Sequence, residues 1–235
     1  MKKILMVLTS HAEMENTKSK TGVWLGEFTD PYYELIDEGY EITLASLKGG
    51  EPPIDPMSKM MEYISGANRR FLDDEVAQQK FRNTVKLEDL NAADFDGLFY
   101  PGGHGPLWDL ASSEISGRMI LDFFSENKPI AAVCHGPAAF IKAEELQPGF
   151  LSGKRITSFT NTEEALAFRS DNIPYKLEAR LRELGVDFHA ALIPYTPHVE
   201  EDGTLITGQN PLSAGPTAKL FIKKLEEAPA FTNGQ

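Results

Sequence analysis

Cys134 is the only cysteine of the chain, and it stands where a cysteine can act as a nucleophile. The run Ile130-Ala131-Ala132-Val133 is apolar, Cys134-His135-Gly136-Pro137 follows at once, and Ala138-Ala139 comes next. An apolar strand that stops abruptly, a glycine for a tight turn and small residues opening a helix describe a strand-to-helix elbow that presents one side chain. A thiol there meets the amino end of the next helix, whose partial positive charge favours thiolate. The expectation is therefore a lowered pKa and ready oxidation. A free cysteine also packs well as a small core residue, and spacing alone leaves that reading open.

Tyr100-Pro101-Gly102-Gly103-His104-Gly105-Pro106 also ends a strand. Glycines let backbone N–H groups come close to a ligand, which suits an oxyanion site, although a plain tight turn has the same composition. Glu27 lies about 60° from the apolar stripe of Trp24, Phe28, Pro31 and Leu35 on a helical wheel. On the residues alone it reads as a boundary glutamate that reaches water. A partly buried carboxyl there would keep its proton and could donate it. Pro31 removes an N–H inside this helix, so an irregular helix is expected.

The elements that must position these groups alternate. Short apolar runs closed by turn residues mark strands at Ile4–Thr9, Glu41–Leu47, Leu98–Tyr100 and Ile130–Cys134, with weaker ones at Ile156–Thr160 and Leu205–Thr207. Helical patterns cover Val23–Glu38, Glu114–Glu126, Pro174–Leu184 with Gly185 as C-cap, and Ser213–Glu227. Alternation of this kind predicts an α/β fold with a mostly parallel sheet and helices on both faces. Residues 52–91 break the rhythm. Met57, Met60, Met61 and Ile64 follow helical spacing, so the segment reads as a helical insertion, either a cap over the site or a peripheral helix pair. No repeat or linker stands out, and residues 1–235 read as one domain.

Five segments together resemble the ThiJ/PfpI superfamily. They are Lys20-Thr21-Gly22-Val23-Trp24-Leu25-Gly26-Glu27, Pro101-Gly102-Gly103-His104-Gly105, Ala132-Val133-Cys134-His135-Gly136-Pro137, Ile156-Thr157-Ser158-Phe159-Thr160-Asn161-Thr162-Glu163-Glu164 and Asp202-Gly203-Thr204-Leu205-Ile206-Thr207-Gly208-Gln209-Asn210-Pro211. Within it they most resemble the cofactor-independent glyoxalase III branch, also called D-lactate dehydratases, which includes heat-shock chaperones. The resemblance implies a flavodoxin-like, doubly wound fold. It makes Cys134 the nucleophile, Glu27 the acid that contacts it, His135 the catalytic histidine and Glu164 the acid that orients it, with Glu163 adjacent in register. It places the oxyanion and substrate-binding site at Gly103 and His104, with the His135 backbone N–H. The implied reaction converts methylglyoxal to lactate with no cofactor. A holding chaperone using the Met57–Met61 cluster, or a cysteine hydrolase, are the alternatives.

An amidotransferase-like triad would instead use His198 and Glu200 of Pro197-His198-Val199-Glu200. Such enzymes usually carry glycine two residues before the cysteine, where this chain has Ala132, so His198 is expected in a surface loop before the Glu201-Asp202-Gly203 turn. No histidine pair or cysteine pair has metal-ligand spacing, and no Gly-x-Gly-x-x-Gly follows the first strand, so neither a metal nor a dinucleotide is expected. The chain of 235 residues is 41% hydrophobic and 25% charged, which is globular composition. A net charge of −12 argues against nucleic acid and against an anionic membrane surface. One cysteine, and an apolar run Ile4–Leu8 too short for a signal peptide, point to the cytoplasm. A homodimer is compatible with the sequence, which does not fix the oligomer.

Overall fold

The structure is a computed structural model that describes residues 1–15, 17–59 and 65–227. Its strands are β1 (Lys3–Leu8), β2 (Glu41–Ser46), β3 (Val85–Lys86), β4 (Gly97–Tyr100), β5 (Ile130–Val133), β6 (Arg155–Ile156), β7 (Asp187–Phe188), β8 (Val199–Asp202) and β9 (Leu205–Gly208). The helices are α1 (Leu25–Asp37), α2 (Pro56–Lys59), α3 (Gly66–Asp73), α4 (Glu75–Arg82), α5 (Glu114–Ser125), α6 (Ala139–Leu146), α7 (Asn161–Leu166), α8 (Leu177–Glu183) and α9 (Ala214–Glu227).

Seven strands form the main sheet in the order β3-β2-β1-β4-β5-β9-β8. All neighbours are parallel except β8 and β9. Strands β4 and β5 are buried throughout, as parallel strands covered on both faces must be. Alternation along β1 sends Ile4, Met6 and Leu8 to one core with Phe28 and Phe221, and Leu5 and Val7 to the other with Phe123 and Phe140. Helices α1 and α9 therefore cover one face, and α5 and α6 the other. This is the doubly wound α/β fold expected. The chain reverses its direction of winding between β1 and β4, and ligands of such sheets bind at the carboxyl ends of the strands near that point.

One local expectation, the strand at Ile156–Thr160, needs correction. Of the expected Ile156–Thr160 strand only Ile156 is in a strand, the last residue of β6, which pairs with β7 in a separate two-stranded ladder. Residues 157–160 run past the main sheet, where Thr157 N–H donates to Thr207 Oγ1 at 3.0 Å and Phe159 N–H donates to the Cys134 carbonyl at 3.0 Å. Helix α1 runs unbroken through Pro31. The insertion is helical, but α3 and α4 do not cover the site. Phe71 and Phe81 pack on Phe28 of α1, with ring centroids 5.5 and 5.0 Å away. From this segment Asp55 and Met57 reach the site, while Met60, Met61 and Ile64 lie outside the described residues. No described helix is long and apolar enough to cross a membrane.

Candidate active site

Cys134 sits at the carboxyl end of β5 with φ 59°, a conformation that non-glycine residues rarely take. Its N–H donates to the Gly208 carbonyl at 2.8 Å, which fixes the turn against β9. Backbone strain of this kind collects at functional sites. The side chain is 3% exposed and lines a cavity of about 260 Å³ together with Trp24, Glu27, Gly103, His104, His135, Phe159 and Tyr195.

Glu27 enters the cavity from the first turn of α1, fully buried rather than reaching water. Its carboxyl faces the Cys134 thiol and the backbone of Gly102 and Gly103. Neither oxygen has a hydrogen-bond partner of good geometry among the described residues. Glycine is required on this wall. A Cβ at Gly102 would lie 2.4 Å from Glu27 Oε2, and one at Gly103 (φ 93°) would lie 2.1 Å from the Gly22 carbonyl oxygen. Burial pushes the Glu27 carboxyl up to about 8, so it holds its proton at neutral pH.

The lowered pKa expected for Cys134 is not what the site produces. Burial, the Glu27 carboxyl and the charges of Glu163 and Glu164 push the thiol well up. The chain then makes a 3-10 turn, Gly136–Ala138, that leads directly into α6. The resting side chain is a thiol that needs a base.

His135 is placed to act as one. Its Nδ1 lies 3.3 Å from Cys134 Sγ, and its Nε2 lies 2.8 Å from Glu164 Oε2. Glu164 is held well below the usual carboxylate range by hydrogen bonds from His104 and His135, which outweigh its burial. An ionised carboxylate only accepts, so His135 carries its proton on Nε2 and turns the Nδ1 lone pair to the thiol. Glu163, the neighbour in register, points elsewhere. Its oxygens accept from Thr160 N–H and Oγ1 at 2.9 Å, Tyr195 N–H at 2.8 Å, and the side-chain amides of Gln209 and Asn210 at 2.9 Å. That fully satisfied carboxylate closes the capping box of α7 and ties down the Tyr195 loop.

His104 lines the cavity as expected of a residue near substrate, and both its ring nitrogens are engaged within the protein. Nε2 donates to Glu164 Oε1 at 2.9 Å, and Nδ1 lies 3.1 Å from an Arg169 nitrogen. The ring packs on His135 with centroids 4.1 Å apart. Burial lowers its pKa to about 4, so it is neutral. The Gly103 backbone faces the Glu27 carboxyl.

Sequence reading did not single out Arg169 or Asp55. Arg169 donates to Asp55 through both terminal nitrogens, at 2.6 and 3.1 Å. Both are buried. Asp55 in the proline-flanked Pro52-Pro53-Ile54-Asp55-Pro56 was the available cue. Arg169 had none.

His104, His135 and Glu164 offer ligand atoms within 4.8 Å of one another, the one group among the described residues close enough to hold a metal ion. Both carboxylate oxygens already accept imidazole N–H groups, and a cation would displace those protons. The alternative histidine, His198, precedes β8 rather than a turn. Its Nε2 lies 2.9 Å from Glu200 Oε1, and neither residue lines the Cys134 cavity.

The chain is similar to known proteins over nearly its whole length. The chain is 29% identical to the glutathione-independent glyoxalase HSP31 of Saccharomyces cerevisiae over 96% of its length and 98% of the relative. It superposes on the structure of Rapid Encystment Protein 24 KDa of Francisella tularensis with TM-score 0.90 and 38% identity, covering 96% and 99% of the two chains. The structure of glyoxalase III from Candida albicans gives TM-score 0.84 and 28% identity, covering 94% and 96%. Residues 19–225 match the DJ-1/PfpI family, and the chain belongs to that family.

Proposed function

We propose that the protein is a glutathione-independent glyoxalase that converts a 2-oxoaldehyde such as methylglyoxal to lactate. The observation that carries this reading is the line from Cys134 Sγ through His135 to Glu164, with a proton-bearing Glu27 beside the same sulfur. The names of the Saccharomyces and Candida relatives support it.

The thiol passes its proton to His135 Nδ1 as sulfur adds to the aldehyde carbon. That proton returns to the aldehyde oxygen, giving a hemithioacetal. A base then removes the hydrogen on that carbon while the neighbouring carbonyl oxygen is protonated, giving an enediol. Protonation of the second carbon and loss of the first hydroxyl proton leave a thioester of Cys134. Water hydrolyses it to lactate and restores the thiol. One carbon is oxidised as its neighbour is reduced, so no external electron acceptor enters the balance. Glu27 suits the proton transfers because a group with pKa near the working pH both gives and takes protons well. The Gly103 and His135 backbone N–H groups are the oxyanion donors of this reading.

The test is loss of methylglyoxal and gain of lactate without glutathione. Cys134→Ala and Glu164→Gln should each abolish turnover while the protein stays folded, and His198→Ala should leave it within about twofold. A crippled His198→Ala would replace this arrangement with the amidotransferase-like one. Exposed apolar side chains at Leu166, Phe168, Leu192, Ile193 and Leu212 favour a second reading, a holding chaperone.

A further inference from the structure

Arg169 lies far from the Cys134 motif in sequence, and α7 delivers it. That helix ends at Leu166, and Phe168 takes φ 56°, which turns the chain so that Arg169 comes back under Glu164. The Arg169 N–H lies at the edge of hydrogen-bond range of the Glu164 carbonyl, 3.5 Å away. Asp55 is held on the other side, accepting from Thr21 Oγ1 at 3.2 Å and Met57 N–H at 2.9 Å. One Arg169 nitrogen bridges Asp55 Oδ2, at 2.6 Å, and His104 Nδ1, at 3.1 Å.

A guanidinium only donates, and it does not lose its proton in proteins. His104 Nδ1 must therefore accept, which puts the single proton of the neutral ring on Nε2, facing Glu164. Without Arg169 the proton could move to Nδ1. The bare Nε2 would then face a carboxylate oxygen, and Glu164 would take up a proton to relieve the clash. A protonated Glu164 can donate to His135 Nε2, which sends the His135 proton to Nδ1. That nitrogen could no longer accept from the thiol. A wrong histidine tautomer of this kind disables a triad even when its geometry survives.

We infer that Arg169, anchored by Asp55, is a positioning residue that fixes the tautomer of His104 and, through Glu164, the tautomer that lets His135 act as base. The role rests on the glyoxalase reading only for its kinetic readout.

Two measurements test it. The first uses ¹⁵N spectra of the imidazoles, with no substrate. Wild type should show both His104 and His135 protonated at Nε2, and Arg169→Met should show Nδ1 protonation in one or both. Nε2 protonation of both rings in Arg169→Met would overturn the inference, and a wild-type enzyme without methylglyoxal turnover would leave this arm intact. The second is kinetic. Arg169→Met should lower kcat at least about tenfold, in the range for groups that orient a first ligand, with KM within about twofold. His104→Gln offers an amide N–H to Glu164 that no tautomer can remove. In that background Arg169→Met should change kcat by less than about threefold. An equal loss in both backgrounds, or a rise in KM alone, would mean that Arg169 acts on the fold or on substrate. If the single variant does not fold, Asp55→Asn/Arg169→Met, which leaves neither charge unpaired, carries the same comparison.

Discussion

A carboxyl buried beside a thiol is a local burden on the folded chain, and Glu27 shows how large. Its ordinary pKa of 4.5 rises to about 8 on burial, so the folded protein holds a proton that the unfolded chain releases. The sign follows from linkage. Any stability tied to this group is complete at low pH and is lost as pH climbs from 4.5 through about 8. Glu27→Gln removes the dependence, because an amide does not ionise. Wild type and variant should melt alike near pH 4.5, and the variant should become progressively more stable above it. At about 1.4 kcal/mol per pKa unit, the gap should reach the order of a few kcal/mol by about pH 9. Turnover should collapse in the same variant. Melting curves and methylglyoxal assays across that range check both parts. Equal melting behaviour at every pH would mean that Glu27 is not held protonated by burial. Function and stability are opposed at this residue.

At the scale of an element, α7 shows how one short helix carries two acids to different tasks. Thr160 accepts from Glu163 N–H at 3.1 Å, and Glu163 accepts from Thr160 N–H at 2.9 Å. This box orients a helix of six residues whose next residue is Glu164. Thr160→Ala should cost about 1 kcal/mol in stability, as loss of such a cap does. It should also lower kcat several-fold, because the turn that holds Glu164 loosens. Urea midpoints and steady-state rates measure the two effects, and a stability loss with unchanged kcat would show that Glu164 is held from elsewhere. The same element shows what sequence could and could not reveal. The elbow at Cys134 was legible because apolar strand, turn glycine and small helix opening are contiguous. The partners of Arg169 were not, since Asp55 is 114 residues away and no periodicity links them. Strand β8 was missed because Val-Glu-Glu-Asp lacks apolar alternation, and β3 because it has two residues. The burial of Glu27 ran against the rule that carboxylates stay outside. The raised thiol pKa followed from that same burial.

At the scale of the molecule, Leu192, Ile193 and Leu212 are exposed apolar side chains, and so is Met57 of the Met57–Met61 cluster, whose Met60 and Met61 lie outside the described residues. Met57 also lines the cavity. Replacing Leu192, Ile193 and Leu212 together with serine should leave methylglyoxal turnover within about twofold, because none lines the cavity. If the protein also holds unfolded clients, suppression of their aggregation should fall sharply in that variant. Light scattering of a heated client protein and turnover on the same preparation decide this. Suppression that survives would place client binding elsewhere.

The order of the main sheet also bears on how the molecule behaves in a crowd of its own copies. Its two outermost strands are β3 and β8. A rim strand offers unpaired N–H and C=O groups, a template on which another chain can add itself. Strand β3 offers only two residues. Strand β8 has four residues, three of them acidic, and it is already engaged from within the chain: the Arg155 guanidinium donates to the Glu201 carbonyl at 2.7 Å, and Glu200, Glu201 and Asp202 pair with Arg155, Lys224 and Lys154. One rim is thus short and the other partly occupied by partners of its own, which reduces the template that either offers to a second copy.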